Sequence, residues 1–253
     1  MAKLGVIQTV PYGNDNQAIA EASRLLAEAG KQEADIVCLP EQWLSDNVVD
    51  DFGARFAEFG RIAREYSMCV IPGAFYHRTR VGADGARRTA IAAPVISADG
   101  GIAGMQEKIH PFSYERDSVS PGSAALVFEA RGVRFGIIVC HDMVFAPVAR
   151  TLARKGAQVI CSPSRIVSRG VAPWGMYVQV RALENRIPIV AANVSGGRFG
   201  GGSMAVDLET DDGVVNTRVT RLADGQSYAV MQVEPGAYER QRAARYADEN
   251  PFQ

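Results

Sequence analysis

The chain has 253 residues, of which 47% are hydrophobic, so it can bury the core of one domain and is short for two well-separated domains. We therefore expect a single domain over residues 1–253, with 237–253 as a C-terminal tail. The 27 Lys and Arg residues nearly balance the 28 Asp and Glu residues, which leaves a formal net charge of −1. This balance argues against nucleic acid or an anionic membrane as the main partner.

The sequence shows neither the apolar segments nor the cysteine patterns of membrane, secreted or zinc-binding proteins. No apolar run approaches the roughly 20 residues that a membrane-spanning helix needs. Residues Met1–Leu4 lead directly into a strand-like run rather than a signal peptide, so a cytoplasmic protein is expected. The four cysteines are too few for a disulfide scaffold, and no CxxC pair supports thioredoxin chemistry or a zinc ribbon.

Strand-like runs alternate with helical periods along the whole chain. In chain order, the pattern predicts a strand over 4–10, a helix over 16–31, a strand over 36–40, a helix over 52–66, a strand over 69–76, a hairpin of 87–97 with 102–109, a hairpin of 126–130 with 133–140, a helix over 145–156, a strand over 158–162, a helix over 173–186, and strands over 188–193, 203–208, 214–219 and 227–234. This mixture of βαβ units and hairpins predicts a mixed sheet, or a pair of sheets, with helices outside. The charged segment 238–250 is interpreted as a solvated helix, with contact to a partner subunit as the alternative.

One of the four cysteines differs from the others in its surroundings. Cys38, Cys69 and Cys161 lie in apolar runs, where a small buried hydrophobe is the simplest interpretation. Cys140 instead closes its apolar run and is followed at once by His141. In an open α/β sheet, ligands bind beyond the carboxyl ends of the strands, so a thiol at this point is a candidate nucleophile.

A nucleophilic thiol needs a base and a group that stabilises the oxyanion. Glu41 ends the predicted strand 36–40 as Cys140 ends its own, so the two side chains would meet at one rim if those strands lay parallel in one sheet. Lys108, near the end of strand 102–109, is a cation that could reach the same rim. A Cys-His pair that uses His141 or His110 remains the alternative, although neighbours in an extended segment point to opposite faces.

Three motifs in this order resemble the carbon–nitrogen hydrolase (nitrilase) superfamily. The motifs are Leu39-Pro-Glu-Gln-Trp43, Glu107-Lys-Ile-His110 and Gly136-Ile-Ile-Val-Cys-His-Asp142, and the similarity extends over about residues 4 to 235. The resemblance implies Glu41 as general base, Lys108 as the cation that binds the oxyanion, and Cys140 as nucleophile. Glu115 matches a further family glutamate that orients Lys108.

The same resemblance carries expectations about fold and chemistry. It implies a four-layer αββα sandwich with two mixed β-sheets, assembled as a homodimer or larger homo-oligomer, with no metal and no organic cofactor. It also implies that Cys140 forms a thioester with a small amide substrate while the backbone N–H of His141 helps Lys108 to hold the oxyanion. The pair His141-Asp142 favours cleavage of a small linear amide or carbamoyl compound. A nitrile substrate, a Cys-His hydrolase or acyltransferase, and a non-catalytic binding protein remain alternatives.

Two segments depart from the family pattern. The triplet after the cysteine motif reads Phe145-Ala-Pro147, without the family's Glu. Where the family often has Pro-Ala-Asn, this chain has Pro163-Ser-Arg165. Arg165 could bind a substrate carboxylate bidentately, with a solvated surface arginine as the alternative interpretation. Trp174 could line the pocket or pack into the core.

Overall fold

Two large mixed β-sheets form the centre of the protein in the computed structural model, which describes residues 1–81 and 86–248. The strands are β1 (Ala2–Gln8), β2 (Ile36–Cys38), β3 (Cys69–Ile71), β4 (Phe75–Val81), β5 (Ala86–Ile96), β6 (Ile102–Glu107), β7 (Val127–Ala130), β8 (Val133–Ile137), β9 (Val159–Pro163), β10 (Ile189–Ala192), β11 (Ser195–Gly196), β12 (Phe199–Gly200), β13 (Met204–Asp211), β14 (Val214–Arg221) and β15 (Ser227–Val233). The α-helices are α1 (Asp15–Lys31), α2 (Phe52–Arg55), α3 (Ala57–Tyr66), α4 (Ala146–Arg154), α5 (Val171–Asn185) and α6 (Glu239–Ala247). Short 3₁₀-helices cover Ser113–Glu115, Cys140–Val144 and Ser168–Gly170.

The two sheets are built alike, with a parallel centre and antiparallel edges. The first has the order β15-β1-β2-β3-β5-β4, with β6 paired to β5, and the second has the order β14-β13-β10-β9-β8-β7. The strands β1, β2 and β3 are parallel to one another, as are β8, β9 and β10, whereas the outer pairs are antiparallel. A parallel centre needs crossover helices, and these cover one face of each sheet.

Three apolar layers hold the sheets and helices together. Between the sheets, Leu4 and Ile36 of the first sheet share a buried cluster with Phe135 and Val190 of the second. Because side chains alternate along a strand, Val37 faces the opposite way and joins a second cluster under α1 and α3. A third cluster lies between the second sheet and the helices α4 and α5. The predicted four-layer αββα sandwich is thus confirmed.

Several predicted elements differ in their bounds from the observed ones. The helix predicted over 52–66 is interrupted at Phe56, and the strand predicted over 69–76 is interrupted before Phe75. The interruption at Gly73 has a steric cause, since this glycine has φ +120 and a Cβ there would lie 2.1 Å from the carbonyl oxygen of Pro40. The strand predicted over 133–140 ends at Ile137, so Cys140 lies beyond it.

The C-terminal segment forms a helix, as predicted, but the helix is not simply solvated. The side chain of Arg242 in α6 is buried, and the hydroxyl of Tyr246 donates a hydrogen bond to Asn185 over 2.7 Å. Helix α6 therefore packs back onto the end of α5. The part of the predicted tail over 249–253 lies outside the described residues. In the part of the chain that the structure describes, no helix is long and apolar enough to cross a membrane.

Replacement of Gly73 by alanine tests the close approach beside Pro40. We expect Gly73→Ala to lower the free energy of unfolding by about 3 kcal/mol or more, because it combines a forbidden contact with a strained φ. Urea unfolding measures the change. Gly132→Ala, with φ +77 and no atom within 4 Å, isolates the strain in φ, and Gly13→Ala, with open space and no positive φ, serves as the neutral control. An equal effect of Gly73→Ala and Gly132→Ala would contradict the steric argument.

Candidate active site

The three residues singled out by the motifs come together where the two sheets end. Glu41 follows β2 and Lys108 follows β6, both in the first sheet, whereas Cys140 follows β8 in the second. The premise that the strands before Glu41 and Cys140 share one sheet is therefore wrong. The residues meet because the two sheets pack face to face, and the backbone N–H of Glu41 bonds the carbonyl of Ser164, beyond β9, over 3.1 Å.

Lys108 is the centre of a buried hydrogen-bonded cluster. Its Nζ lies 3.0 Å from Oε1 of Glu41 and 2.8 Å from Oε2 of Glu115. The three residues are 1%, 3% and 2% exposed, so each charge depends on the others for stabilisation. The backbone N–H of Phe112 donates to Oε2 of Glu115 over 2.6 Å, which fixes this second carboxylate.

The thiol of Cys140 joins this cluster through Glu41. The side chains of Cys140 and Glu41 are hydrogen-bonded to each other, and the backbone N–H of Arg165 donates to the sulfur. With the carboxylate ionised, the thiol is the donor in the first contact. The arrangement therefore places a proton acceptor directly beside a nucleophile.

Burial and neighbouring charges set the protonation states of the cluster. Burial, together with the charge of Glu41, raises the pKa of the Cys140 thiol well above its ordinary value. Burial also raises the pKa of Glu41, although Lys108 opposes the shift. For Lys108, burial lowers the pKa, but Glu41, Cys140 and Glu115 outweigh it and raise the pKa overall. The cluster at rest thus holds a neutral thiol and a charged ammonium, and it titrates as a unit.

Cys140 occupies a strained turn between strand and helix. Its φ of +47 lies in the left-handed region, which is uncommon for a residue other than glycine. Cys140 is also the first residue of the 3₁₀-helix Cys140–Val144, so His141 lies in its opening turn. The first N–H groups of a helix have no acceptor inside it, so the N–H of His141 suits an anion beside the sulfur.

Asp142 is a buried residue whose structural importance the sequence analysis missed. Its carboxylate accepts hydrogen bonds from the backbone N–H of Ile109 over 3.0 Å and from the backbone N–H of His110 over 2.7 Å. The ring Nδ1 of His110 also lies 2.8 Å from Oδ1 of Asp142. Asp142 therefore ties the segment after Lys108 to the turn that carries Cys140. In the sequence, the motif position of Asp142 indicates only the substrate class.

The histidine alternative finds no support in the geometry of the thiol. The ring of His110 bonds Asp142 and stacks on Phe145 with the ring centroids 3.8 Å apart. The ring of His141 meets Phe112 and Phe145 edge-on, and burial, followed by the charge of Lys108, lowers its pKa. The side chain that bonds the thiol is the carboxylate of Glu41.

The altered triplet after the cysteine motif leaves the next helix intact. Helix α4 begins at Ala146, so Pro147 falls in its first turn. Proline is favoured there because its missing N–H would have no partner in that turn. The absence of the family's Glu therefore does not displace the helix start.

The cluster lies in a cavity of about 510 Å³. The wall combines the polar cluster with apolar and basic side chains: Glu41, Gln42, Lys108, Phe112, Tyr114, Glu115, Cys140, His141, Met143, Val144, Arg165, Ile166, Val167, Arg169, Gly170, Pro173, Trp174, Tyr177, Arg198 and Phe199. Two larger concavities, of about 830 and 930 Å³, lie elsewhere and include none of Glu41, Lys108 and Cys140. The reactive groups identify the smaller cavity as the candidate active site.

Arg165 and Trp174 both reach this cavity. Nη1 of Arg165 donates to Oε1 of Gln42 over 2.9 Å, and its guanidinium lies 4.6 Å from the ring centroid of Phe199. Trp174 also belongs to the apolar cluster under α5, so it both lines the cavity and packs into the core. Its buried indole N–H has no hydrogen-bond partner among the described residues.

Comparison with known families agrees with this geometry. The family model for carbon-nitrogen hydrolases matches residues 3–233 of the chain. The protein therefore belongs to the carbon–nitrogen hydrolase family, a class of enzymes, and the resemblance inferred from the three motifs is confirmed.

The relatives include both an amidase and a nitrilase. Omega-amidase NIT2 of Bos taurus is 26% identical over 209 residues, which cover 76% of this chain and 74% of the relative. A nitrilase of Pyrococcus abyssi is 29% identical over 207 residues, covering 76% of this chain and 75% of the relative.

Solved structures share the fold at lower sequence identity. An amidase of Nesterenkonia from the nitrilase superfamily superposes with a TM-score of 0.75 at 20% identity, covering 97% of this chain and 96% of that one. A variant of the same amidase, with a TM-score of 0.74, 20% identity and 98% coverage of both chains, has been solved with acrylamide added to its active-site cysteine. Another, with a TM-score of 0.75, 20% identity and coverage of 97% and 95%, contains butyramide.

Alkylation by iodoacetamide, mapped by mass spectrometry, tests the exposure of the four thiols. We expect Cys140, which opens onto the cavity, to react ahead of Cys38, Cys69 and Cys161, which are buried between the sheets. Because the pKa of Cys140 is raised, its labelling rate should keep rising with pH through the ordinary thiol value of 9.0. Equal labelling of all four thiols, or none at Cys140, would contradict the assignment.

Proposed function

We propose that this protein is an amidohydrolase that cleaves the C–N bond of a small linear amide or carbamoyl compound through a thioester on Cys140. The observation that carries the proposal is the contact between the thiol of Cys140 and the carboxylate of Glu41, beside the ammonium of Lys108, in one cavity. In this assignment Glu41 is the general base, Lys108 binds the oxyanion and Cys140 is the nucleophile.

Formation of the acyl-enzyme begins with the neutral thiol. Glu41 takes the proton as the sulfur of Cys140 attacks the carbonyl carbon, and the carbonyl oxygen becomes an oxyanion. Lys108 and the backbone N–H of His141 donate to that oxyanion, a stabilisation of about 3 kcal/mol for one donor of this kind. When the tetrahedral intermediate collapses, the C–N bond breaks and Glu41 returns its proton to the departing ammonia or amine.

Hydrolysis of the thioester reuses the same groups. Glu41 takes a proton from a water molecule, whose oxygen attacks the thioester carbon, and the C–S bond breaks as the second intermediate collapses. The sulfur recovers its proton from Glu41, and the carboxylic acid leaves. Glu115 takes no proton in this scheme. It contacts Lys108 over 2.8 Å and orients its ammonium.

The relatives support the amide over the nitrile. The omega-amidase of Bos taurus and the Nesterenkonia amidase carry names that describe amide cleavage, and the latter binds butyramide. The nitrilase of Pyrococcus abyssi makes a nitrile the second candidate substrate, since a thiol attacks a nitrile carbon in the same way.

Ammonia release from a panel of ω-amides, carbamoyl compounds and nitriles tests the reaction, with Cys140→Ala as the blank. We expect Glu41→Gln to lower kcat/KM for the best amide on the order of a hundredfold or more, because the isosteric amide cannot take a proton. Glu58→Gln, on the exposed face of α3, is the matched control. Full activity in Glu41→Gln would exclude this mechanism, and release from nitriles alone would favour the second candidate.

The pH profile of the same reaction checks the state of Glu41. The carboxylate must be ionised to accept the thiol proton, and its pKa is raised above the ordinary 4.5. For an uncharged amide, kcat/KM should therefore fall with decreasing pH in a range above 4.5, as the cluster gains a proton. A profile that stays flat down to pH 4.5 would contradict a raised pKa of the base.

We also propose that Arg165 and Trp174 bind the substrate, with Arg165 holding a carboxylate remote from the amide. The guanidinium lines the cavity and its described partners are neutral, so its charge is available to an anion. The unpartnered indole N–H of Trp174 offers a further donor.

Steady-state kinetics of Arg165→Ala test carboxylate recognition. We expect KM for a carboxylate-bearing amide to rise about tenfold or more, since a lost hydrogen bond between charged groups costs about 1.5–3 kcal/mol. KM for an uncharged amide should rise less. An unchanged KM for carboxylate-bearing amides would contradict the role of Arg165.

The proposed assembly is a homodimer or larger homo-oligomer. Helix α5 presents Met176 and Val180, which are 63% and 48% exposed, on neighbouring turns of the same surface. Such an apolar face suits a second copy of this chain. Sedimentation velocity at micromolar concentration measures the oligomeric state. A monomeric wild-type protein would contradict the proposal.

The proposed compartment is the cytoplasm. All four cysteines are free, and two of them, Cys38 and Cys161, are hydrogen-bonded to each other without a disulfide. Unpaired thiols are typical of proteins kept in a reducing environment. Recovery of the native protein only from an oxidising compartment would contradict this assignment.

A further inference from the structure

Three arginines lie along one wall of the active-site cavity. Arg165 is half-buried in the segment after β9, Arg169 lies in the 3₁₀-helix Ser168–Gly170, and Arg198 lies in the turn between β11 and β12. Arg165 is therefore the inner member of this basic wall. Arg169 and Arg198 are exposed and form its outer part.

Backbone pairing holds the two segments of the basic wall together. The N–H of Ser168 donates to the carbonyl of Arg198 over 3.0 Å, and Val167 forms an antiparallel bridge with Phe199. The buried side chain of Asn193 anchors the first segment, because its Oδ1 accepts from the N–H of Ile166 over 2.7 Å. The fold thus holds the segments that carry the three arginines side by side.

The ring of Phe199 lies within range of two guanidinium groups. The Cζ atoms of Arg165 and Arg198 are 4.6 and 5.2 Å from the centroid of this ring. Cation–π contacts of this kind position a guanidinium without neutralising its charge. The positive charges of both arginines therefore stay available to a ligand, although Nη1 of Arg165 donates to Gln42.

Among the residues that the structure describes, no carboxylate pairs with an arginine of the basic wall. None of the three arginines forms an ion pair with another described residue, and the buried Nε of Arg165 has no hydrogen-bond partner there. The two carboxylates of the cavity, Glu41 and Glu115, are both engaged by Lys108. Four positive side chains thus face two negative ones, which leaves an excess of two positive charges around the ligand.

The N-terminus of α5 adds to the positive electrostatic potential of the cavity. The helix begins at Val171, has no acidic residue in its first turn and has no side-chain cap, while Gly170 and Pro173 line the cavity. The positive end of its dipole is therefore not compensated locally. A cleft lined by one sign of charge concentrates ligands of the opposite sign.

We infer that Arg169 and Arg198 form a second anion subsite beside Arg165, so that the preferred substrate is an amide bearing two carboxylates at the end remote from the scissile bond. This inference rests on the proposed amide hydrolysis and specifies its substrate class. A dianion balances the excess charge of the cavity, whereas an uncharged amide leaves all three guanidinium groups without an anionic partner. The cavity volume of about 510 Å³ lies within the range in which proteins enclose organic ligands of this size.

A series of amides that differ only in charge tests the inference. Pentanamide, glutaramate and (2-carbamoylethyl)malonate carry the same amide on the same chain with no, one and two carboxylates. We expect kcat/KM to rise with each carboxylate, by about tenfold for the second, and this gain to shrink at high ionic strength. Equal or lower kcat/KM for the malonate than for glutaramate would overturn the second subsite.

The double variant Arg169→Gln with Arg198→Gln assigns the effect to these residues. It should reduce the ratio of kcat/KM for the malonate to that for glutaramate about tenfold. Both side chains are exposed, so the fold should survive, and Arg240→Gln on α6 is the control for the loss of an exposed arginine. An unchanged ratio in the double variant would overturn the assignment.

Calorimetric titration of the Cys140→Ala variant separates this inference from the proposed reaction. We expect the malonate to bind about tenfold more tightly than glutaramate, and the advantage to disappear when Arg169→Gln and Arg198→Gln are added. If none of the amides releases ammonia but the malonate still binds in this manner, the reaction is wrong and the anion subsite stands. If ammonia is released but the two ligands bind equally, the subsite is wrong and the reaction stands.

Discussion

The active-site cluster depends on one buried cation, the ammonium of Lys108. An isolated charge in such a place would cost several kcal/mol, and Glu41 and Glu115 offset this cost by direct contact. Burial, together with the charge of Glu41, raises the pKa of the Cys140 thiol and keeps it protonated until a substrate arrives. In the proposed reaction, Glu41 accepts the thiol proton and Lys108 binds the oxyanion. The groups that stabilise the buried charges are therefore the groups that react.

Loops from both sheets hold the side chains of this cluster in position. The hydrogen bond from Glu41 to Ser164 and the bonds from the segment after Lys108 to Asp142 join the ends of the first sheet to those of the second. The basic wall is built from the loop after β9 and from the turn between β11 and β12, which form a separate two-stranded sheet. The reacting groups thus depend on the packing of the sheets. The proposed recognition of the substrate shares the loop after β9 with them, since Ser164 bonds Glu41 and the backbone of Arg165 bonds Cys140.

Much of the fold followed from local patterns, and the errors have local causes. Apolar runs and turns predicted most strands and helices, but an apolar run does not distinguish a strand from a buried turn, so Cys140 was assigned to a strand that ends at Ile137. Motif order predicted that Glu41, Lys108 and Cys140 meet. It did not indicate that the strand before Cys140 lies in the other sheet from the strands before Glu41 and Lys108, because sheet membership depends on contacts far apart in the chain.

The sequence by itself determined the family, the order of the elements and the chemical groups available, since these depend on residue types and their spacing. Only the tertiary structure decided the protonation state of Cys140, the role of Asp142 and the approach of Arg165, Arg169 and Arg198. Each of these depends on burial and on neighbours from other segments. A shifted pKa, a buried hydrogen bond and an excess of charge arise from contacts between segments that are distant in the chain. The spacing of residues along the sequence does not specify those contacts.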